Sequence, residues 1–363
     1  MNAPLNRRKR VLLLSAYDAV SHRYWADSVI RHVESVEWTQ LRLPARHFLW
    51  RVRGNPLTWL FKEHETLSRP YDVVLVTSMV DLATLIGLFP SLGQAHKIIY
   101  FHENQFAYPA SEAQHSSVES KMVNLYAALA ADTVIFNTAY NRDSFVDGAR
   151  AFLKKMPENL PAVKPLEALR KRARVLPVPI MPLDGRHHGQ RHPRRILWNH
   201  RWEYDKNPED FFEVLFELSG QGVAFELAVV GQRFRHVPPI FAEAEQRLAS
   251  HITAWGPLPE GRYRAELDKA GIVVSTTWHE FQGLAIMEAA QRGARPLVPD
   301  RLCFPALYPK AYRYDGTRGG LYDQLYRWLT TPTDQPEPLN TAQWEWPAWQ
   351  AAYSSLLTEG VLD

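Results

Sequence analysis

Glu280, Gln282 and Gly283 occupy a polar turn between a run of buried-strand character, residues 272–274, and a helix expected over 284–292, with Glu288 in the second turn of that helix. A short strand at 296–299 follows, so the segment reads as a βαβ unit. Open parallel sheets bind ligands outside the carboxyl ends of their strands, and this turn lies at such an end. The amides of Gly283, Leu284 and Ala285 are expected to point out of the helix N-terminus, which favours an anion such as phosphate. Two acids beside a phosphate cradle suit a ligand carrying both phosphates and hydroxyls. An E-x7-E spacing by itself is equally met by two solvated acids on a helix; the Phe281–Gly283 context and the βαβ setting favour the binding reading.

A second constellation lies upstream. A strand run ends in WNHRWEYDKNPEDF, placing Arg201 and Lys206 between a strand end and a helix start. Two cations there can clamp a diphosphate leaving group, where preorganised positive charge contributes most to a transfer. Gly231 and Gln232, after the strand run 225–230, and Gly256, after 252–255, supply tight turns on the same side. In the first half, the run KIIYF ends in His102, Glu103, Asn104 and Gln105. His102 can contact a transferred group or shape the reactive face; a structural histidine at a strand end is the alternative. No Asp-x-Asp motif falls at a strand end, so no obligatory metal is expected.

Positioning these groups requires parallel sheets. Strands are expected at 11–15, 71–78, 97–101 and 133–137, with helices at 24–34, 83–89, 121–131 and 141–152. A stretch rich in Pro, Gly, Arg and His, residues 175–193, reads as an interdomain linker because proline removes backbone donors and fixes φ. The alternation then restarts, with strands at 196–199, 225–230 and 252–255 and helices at 208–219, 239–249 and 262–269. Trp344, Trp346, Trp349, Tyr353 and Leu356 in the tail have roughly helical spacing and read as packing.

The 363 residues suit two domains, and 46% apolar content is ample for two cores. The single cysteine, Cys303, excludes a disulfide framework and a cysteine-built zinc site. The apolar run at 11–14 is too short for a signal peptide or a membrane span, so a cytoplasmic protein without stable membrane insertion is expected. Net charge is only +3, but basic residues cluster at 7–10, 42–53, 150–174 and 186–195. Such clusters can bind phosphates, or serve solubility or a membrane surface.

Glu280 and Glu288 around Phe281 and Gly283, preceded by Arg201-x4-Lys206, resemble the donor-site motifs of retaining GT-B glycosyltransferases related to family 4. In combination, YFHENQFAYP (100–109), NTAYNRDSF (137–145), WNHRWEYDKNP (198–208) and WHEFQGLAIMEA (278–289) resemble the family that includes tRNA-queuosine mannosyltransferase. The resemblance implies an α/β GT-B fold with two Rossmann-like doubly wound domains facing a central cleft. The first domain would span 1–178 and the second 190–330, and the tail, 331–363, would carry a C-terminal helix crossing back to the first. It implies catalytic roles for His102, Glu280, Arg201 and Lys206, with the donor held by Gly231, Gln232, Gly256, Gln282, Gly283, Leu284, Ala285 and Glu288. Glu288 would take the ribose hydroxyls. Ser21, His22, Asn104, Gln105 and Asn137 fall on the acceptor side, although the loop SAYDAVSH lacks the glycines expected before Ser21 and His22. The implied donor is GDP-mannose with no further cofactor, and the acceptor is queuosine at the wobble position of tRNA-Asp. Two alternatives are a family 4-like transferase building a lipid-linked or cell-surface glycan, for which 48–61 offers a basic and aromatic membrane-seeking face, and a non-catalytic tRNA-binding protein.

Overall fold

A computed structural model describes residues 7–108, 118–158, 160–183, 191–233 and 236–359. The Arg and His of 186–190 and the last residue of the YFHENQFAYP motif lie outside them. The chain forms two compact units: one runs to Pro179 and takes up again from Trp346, and the other spans Ile180–Glu345.

The first unit holds a parallel sheet of β1 (Arg10–Asp18), β2 (Glu37–Pro44), β3 (Val73–Thr77), β4 (His96–Phe101), β5 (Thr133–Phe136) and β6 (Arg174–Val175). Its order is β2-β1-β3-β4-β5-β6. Strands β1, β3 and β4 are near-continuous apolar runs because helices cover both faces of a parallel sheet. The core gathers Leu12, Leu14, Val74, Val76, Ile99, Phe101 and Phe136 with Trp59, Phe145 and Leu169 from the helices. The C-terminal helix, Trp346–Thr358, belongs to this unit: Trp346 stacks on His32 at 4.3 Å, and Tyr353 accepts a 3.0 Å bond from the Trp25 indole.

The second unit holds β7 (His192–Trp198), β8 (Glu226–Val230), β9 (Ile252–Gly256), β10 (Ala270–Val274), β11 (Arg295–Pro299) and β12 (Arg313–Tyr314), in the order β12-β11-β10-β7-β8-β9. Read from β9, this is the 3-2-1-4-5-6 order of dinucleotide-binding folds. Trp198, Phe211, Phe212, Leu227, Val229, Ile272 and Trp328 fill its core. In each sheet the strand order reverses once, between β1 and β3 and between β7 and β10, and ligands of such sheets sit at the carboxyl ends beside that reversal.

Some sequence expectations shift. The linker is shorter than 175–193, because Arg174–Val175 pairs with β5 and β7 already begins at His192. Residues 331–345 stay with the second unit, and only the chain from Trp346 joins the first. The first helix begins at Val20 rather than near residue 24, so Ser21 and His22 lie in its opening turn and not in a loop.

Candidate active site

The second unit's site is built where β7 and β10 separate. Residues 199–207 leave β7, and 275–283 leave β10. The two segments are laced together: Trp278 N donates to Asp205 O at 2.8 Å, Thr276 Oγ1 to Lys206 O and Asn207 O at 2.9 and 2.8 Å, and Thr277 Oγ1 to Asp205 O at 3.0 Å. Asn207, at φ 49°, then starts the helix Pro208–Gly220, with Pro208 at its first position and Glu209 and Asp210 in its first turn.

Lys206 is buried, and its Nζ donates to His279 O at 2.8 Å and to Glu280 Oε2 at 3.3 Å. The Asp205 carboxylate lies behind it, 3.4 Å from Lys206 Nζ, 3.9 Å from Arg201 and 3.8 Å from His279 Nδ1. Burial pushes the Asp205 carboxyl up, but Lys206, His279 and Arg201 together hold it well below the usual carboxylate range. Arg201 is more exposed and pairs with Glu203 at 2.6 Å. Three of the four residues expected to be catalytic thus meet, Arg201 and Lys206 through Asp205 and Glu280 through Lys206. Asp205 was not singled out from the sequence; an acid directly before the clamp lysine is the signal that marks it.

Glu280 closes the turn. Its Oε1 accepts the amides of Phe281, Gln282 and Gly283 at 3.1, 3.4 and 3.0 Å. Against the upward push of burial, Lys206 and the neighbouring histidines lower its pKa to about 2. The Gly283 amide is therefore taken internally, and the expectation of three free amides is corrected: Leu284 and Ala285, the first two residues of the helix Leu284–Gln291, have amides with no intrahelical acceptor. Gly283 turns into that helix at φ 79°, which favours glycine. Gln282 is buried and aims its amide at Met287 Sδ, 3.7 Å away, rather than outward.

Glu288 is half-buried and its carboxylate forms no hydrogen bond or ion pair among the described residues; burial raises its pKa. Asn199 ties the end of β7 to this helix, donating to Ala285 O at 2.9 Å and to Tyr263 Oη at 3.1 Å. His200, also missed from the sequence, is buried, and burial with the nearby Lys206 charge lowers its pKa to about 4, leaving a neutral ring. Gly231 sits at φ 144°, and a Cβ there would lie 2.0 Å from His200 O. Gln232 is exposed and accepts Trp202 N at 3.0 Å, while a Cβ on Gly256 would meet the Arg233 guanidinium at 2.9 Å.

The first unit has its own buried polar cluster beside the β1/β3 reversal. His22 Nδ1 lies 2.9 Å from Tyr17 O and its Nε2 2.9 Å from Glu103 Oε2. Both partners only accept, so both ring nitrogens donate and His22 is an imidazolium. Its pKa is raised although burial pulls the other way, and Glu103 is lowered to about 2, also against burial, chiefly by His22. Ser78 Oγ donates to the other Glu103 oxygen at 3.0 Å. His102 stacks on His22 at 4.3 Å and is also flanked by Trp25 and Tyr100. Burial and the His22 charge hold its pKa well below the usual value. The ring is neutral, and neither of its nitrogens has a hydrogen-bond partner among the described residues.

The remaining acceptor-side residues are placed differently from one another. Ser21 is exposed. Asn104 is buried, donates to Asn141 Oδ1 at 2.8 Å and caps the amides of Phe106 and Ala107 at 3.0 Å. Asn137 donates to His102 O at 2.9 Å, and Gln105 is buried with its side chain toward Met79 Sδ at 3.8 Å. Asn104 and Asn137 shape the loop that carries His102. Among the described residues no group of three or more His, Cys, Asp or Glu gathers that could hold a metal ion, and no helix is long and apolar enough to cross a membrane.

Comparison with known proteins bears on both units. Residues 10–180 match the family described as tRNA-queuosine alpha-mannosyltransferase N-terminal. A Drosophila melanogaster tRNA-queuosine alpha-mannosyltransferase is 30% identical over 344 residues, covering 90% of this chain and 88% of its own. Among solved structures, sucrose-phosphate synthase from Thermosynechococcus elongatus superposes with a TM-score of 0.71 at 12% identity, covering 97% of this chain and 99% of its own. Anabaena HepE in complex with UDP-glucose gives 0.64 at 9% identity, with the same coverages of 97% and 99%. These likenesses show the GT-B fold, and the identity to the curated relative shows the family: the chain is a glycosyltransferase belonging to the tRNA-queuosine alpha-mannosyltransferase family.

Proposed function

We propose that the protein transfers mannose from GDP-mannose to the cyclopentene-diol of queuosine at the wobble position of tRNA-Asp, with retention at the anomeric carbon, in the cytoplasm. The observation that carries the chemistry is the Arg201–Asp205–Lys206–Glu280 constellation at the sheet reversal of the second unit. Lys206 and Arg201 meet the donor diphosphate, and the Leu284 and Ala285 amides add a helix N-terminus to the same anion. Glu288, whose carboxylate has no hydrogen bond or ion pair among the described residues, accepts from the ribose hydroxyls. The acceptor and the sugar are supported by the family relationship.

In the transfer, the bond from the sugar C1 to the phosphate oxygen breaks and a bond from C1 to the queuosine oxygen forms. Negative charge grows on the departing diphosphate, where the two cations act. Glu280 is unsuited to be a nucleophile, since one of its oxygens takes three amides and the other takes Lys206. Attack on the face the leaving group departs from, with the diphosphate accepting the queuosine proton, is consistent with that. The neutral His102 ring offers one donor and one acceptor to the sugar or the incoming hydroxyl. Calorimetric titration and hydrolysis assays with GDP-, UDP- and ADP-sugars test the donor side. Binding of GDP-mannose above the others is expected, and failure to bind or hydrolyse any nucleotide sugar overturns the reading.

A further inference from the structure

Two residues before Glu280, Trp278 is 52% exposed, although tryptophan is highly buried on average. It is nevertheless fixed. Its amide donates to Asp205 O at 2.8 Å, and the Arg301 guanidinium lies against its ring at 4.1 Å from the centroid. Arg301 cannot swing away: Nε donates to Thr277 O at 3.1 Å, Nη1 to Gly316 O at 3.0 Å and Nη2 to Thr276 O at 2.8 Å. Among the described residues no carboxylate pairs with Arg301, so its charge stands uncompensated by an ion pair. An exposed indole backed by a carbonyl-anchored cation is a rigid, electropositive stacking surface. Its complement is a flat ring carried on a phosphate chain.

We propose that Trp278 is the stacking platform for a nucleobase of the acceptor RNA, next to the nucleoside that receives the sugar. A donor base is the other possible source of such a ring. Along the chain the turn runs from Trp278 through Glu280 to the helix bearing Glu288, and the donor nucleoside is assigned to the Glu288 end, with Trp278 before Glu280 and outside that helix. The proposal rests on the acceptor reading given above. It adds that the enzyme reads a neighbour of queuosine through its π-face, which makes a polynucleotide a better acceptor than the free nucleoside.

The test compares Trp278→Ala and Trp278→Phe with wild type, using a queuosine-containing anticodon stem-loop, free queuosine nucleoside and GDP-mannose, with stem-loop affinity measured separately by fluorescence anisotropy. For Trp278→Ala, kcat/KM on the stem-loop is expected to fall about ten-fold or more beyond any change on the free nucleoside, with a matching loss of stem-loop affinity. Trp278→Phe is expected to restore most of both. An equal loss on stem-loop and nucleoside overturns the proposal, as does a loss confined to donor KM, which assigns the platform to the donor base. No change in affinity also overturns it. If wild type binds the stem-loop without glycosylating it, the acceptor reading falls while the affinity comparison still decides the platform; no stem-loop affinity in wild type overturns both.

Discussion

Lys206 Nζ stands 3.3 Å from Glu280 Oε2, and the other oxygen of the same carboxylate holds the amides of Phe281, Gln282 and Gly283. One side chain therefore links the cation expected at the leaving group to the turn that opens the donor helix. Removing either partner leaves the other charged in a largely buried place, which is costlier than losing the pair as a whole.

Lys206→Ala and Glu280→Ala are each expected to lower kcat about 100-fold or more, the scale seen when one preorganised donor to developing charge is removed. Both variants are expected to fold, as judged by circular dichroism and cooperative melting. Near-wild-type turnover in either would refute the site.

Glu288→Ala is expected to act on binding. The Glu288 carboxylate makes no hydrogen bond or ion pair among the described residues, so its removal strands no bonded partner, and donor KM should rise about ten-fold with kcat changed less. Donor titration checks this, and unchanged donor affinity removes the ribose role.

Gly231→Ala is expected to be strongly destabilising. The residue is held at φ 144°, and the new Cβ would lie 2.0 Å from His200 O, so β8's end and the segment after β7 must move apart. A loss of at least about 2 kcal/mol is expected from urea unfolding, since strain and a backbone clash add. The opposite result, a stable Ala variant with normal donor affinity, would show that this approach is not needed.

Stability should fall at both ends of the pH range. Glu103 and Glu280 titrate near 2 when folded, below about 4.3 for an unstructured Glu, so their contribution is complete above roughly pH 4.3 and is lost as pH drops through about 2. His22 works in the opposite sense. Its raised pKa stabilises the fold fully below about pH 6.5, and that part is lost as pH rises through the folded value. Glu103→Gln removes the pair, so its melting temperature should be lower near neutrality and flatter on the alkaline limb. Thermal melts across pH check both limbs, and an unchanged alkaline limb in this variant would contradict the imidazolium assignment.

Much of this was legible in the sequence, because buried parallel strands are written as apolar runs: VLLL, VVLV, KIIYF and GIVV all proved to be strands at or beside the sheet reversals. The edge strand β2, with one buried residue, carries no such signal. The helix Phe48–Lys62, over a stretch noted in the sequence only for its basic and aromatic face, runs through Gly54, Asn55 and Pro56, residues that weaken a helical pattern. Pro56 cannot donate to Val52 O, and the buried Asn55 Nδ2 does so instead at 3.1 Å, a local side-chain substitution that periodicity does not reveal. At the site, Arg201, Lys206, Glu280 and Glu288 stood out through spacing, whereas the His22–Glu103 pair joins residues far apart in sequence, and Asp205, local to Arg201 and Lys206, shows its place only through its approach to the distant His279.

The most direct measurement is mass spectrometry of nucleosides from queuosine-containing tRNA-Asp incubated with GDP-mannose and either wild-type protein or Lys206→Ala. A hexose mass gained on queuosine with wild type and largely absent with Lys206→Ala is the expected result. No gain with wild type under conditions where GDP-mannose binds would contradict the assigned acceptor, and equal gain with both proteins would contradict the assigned site.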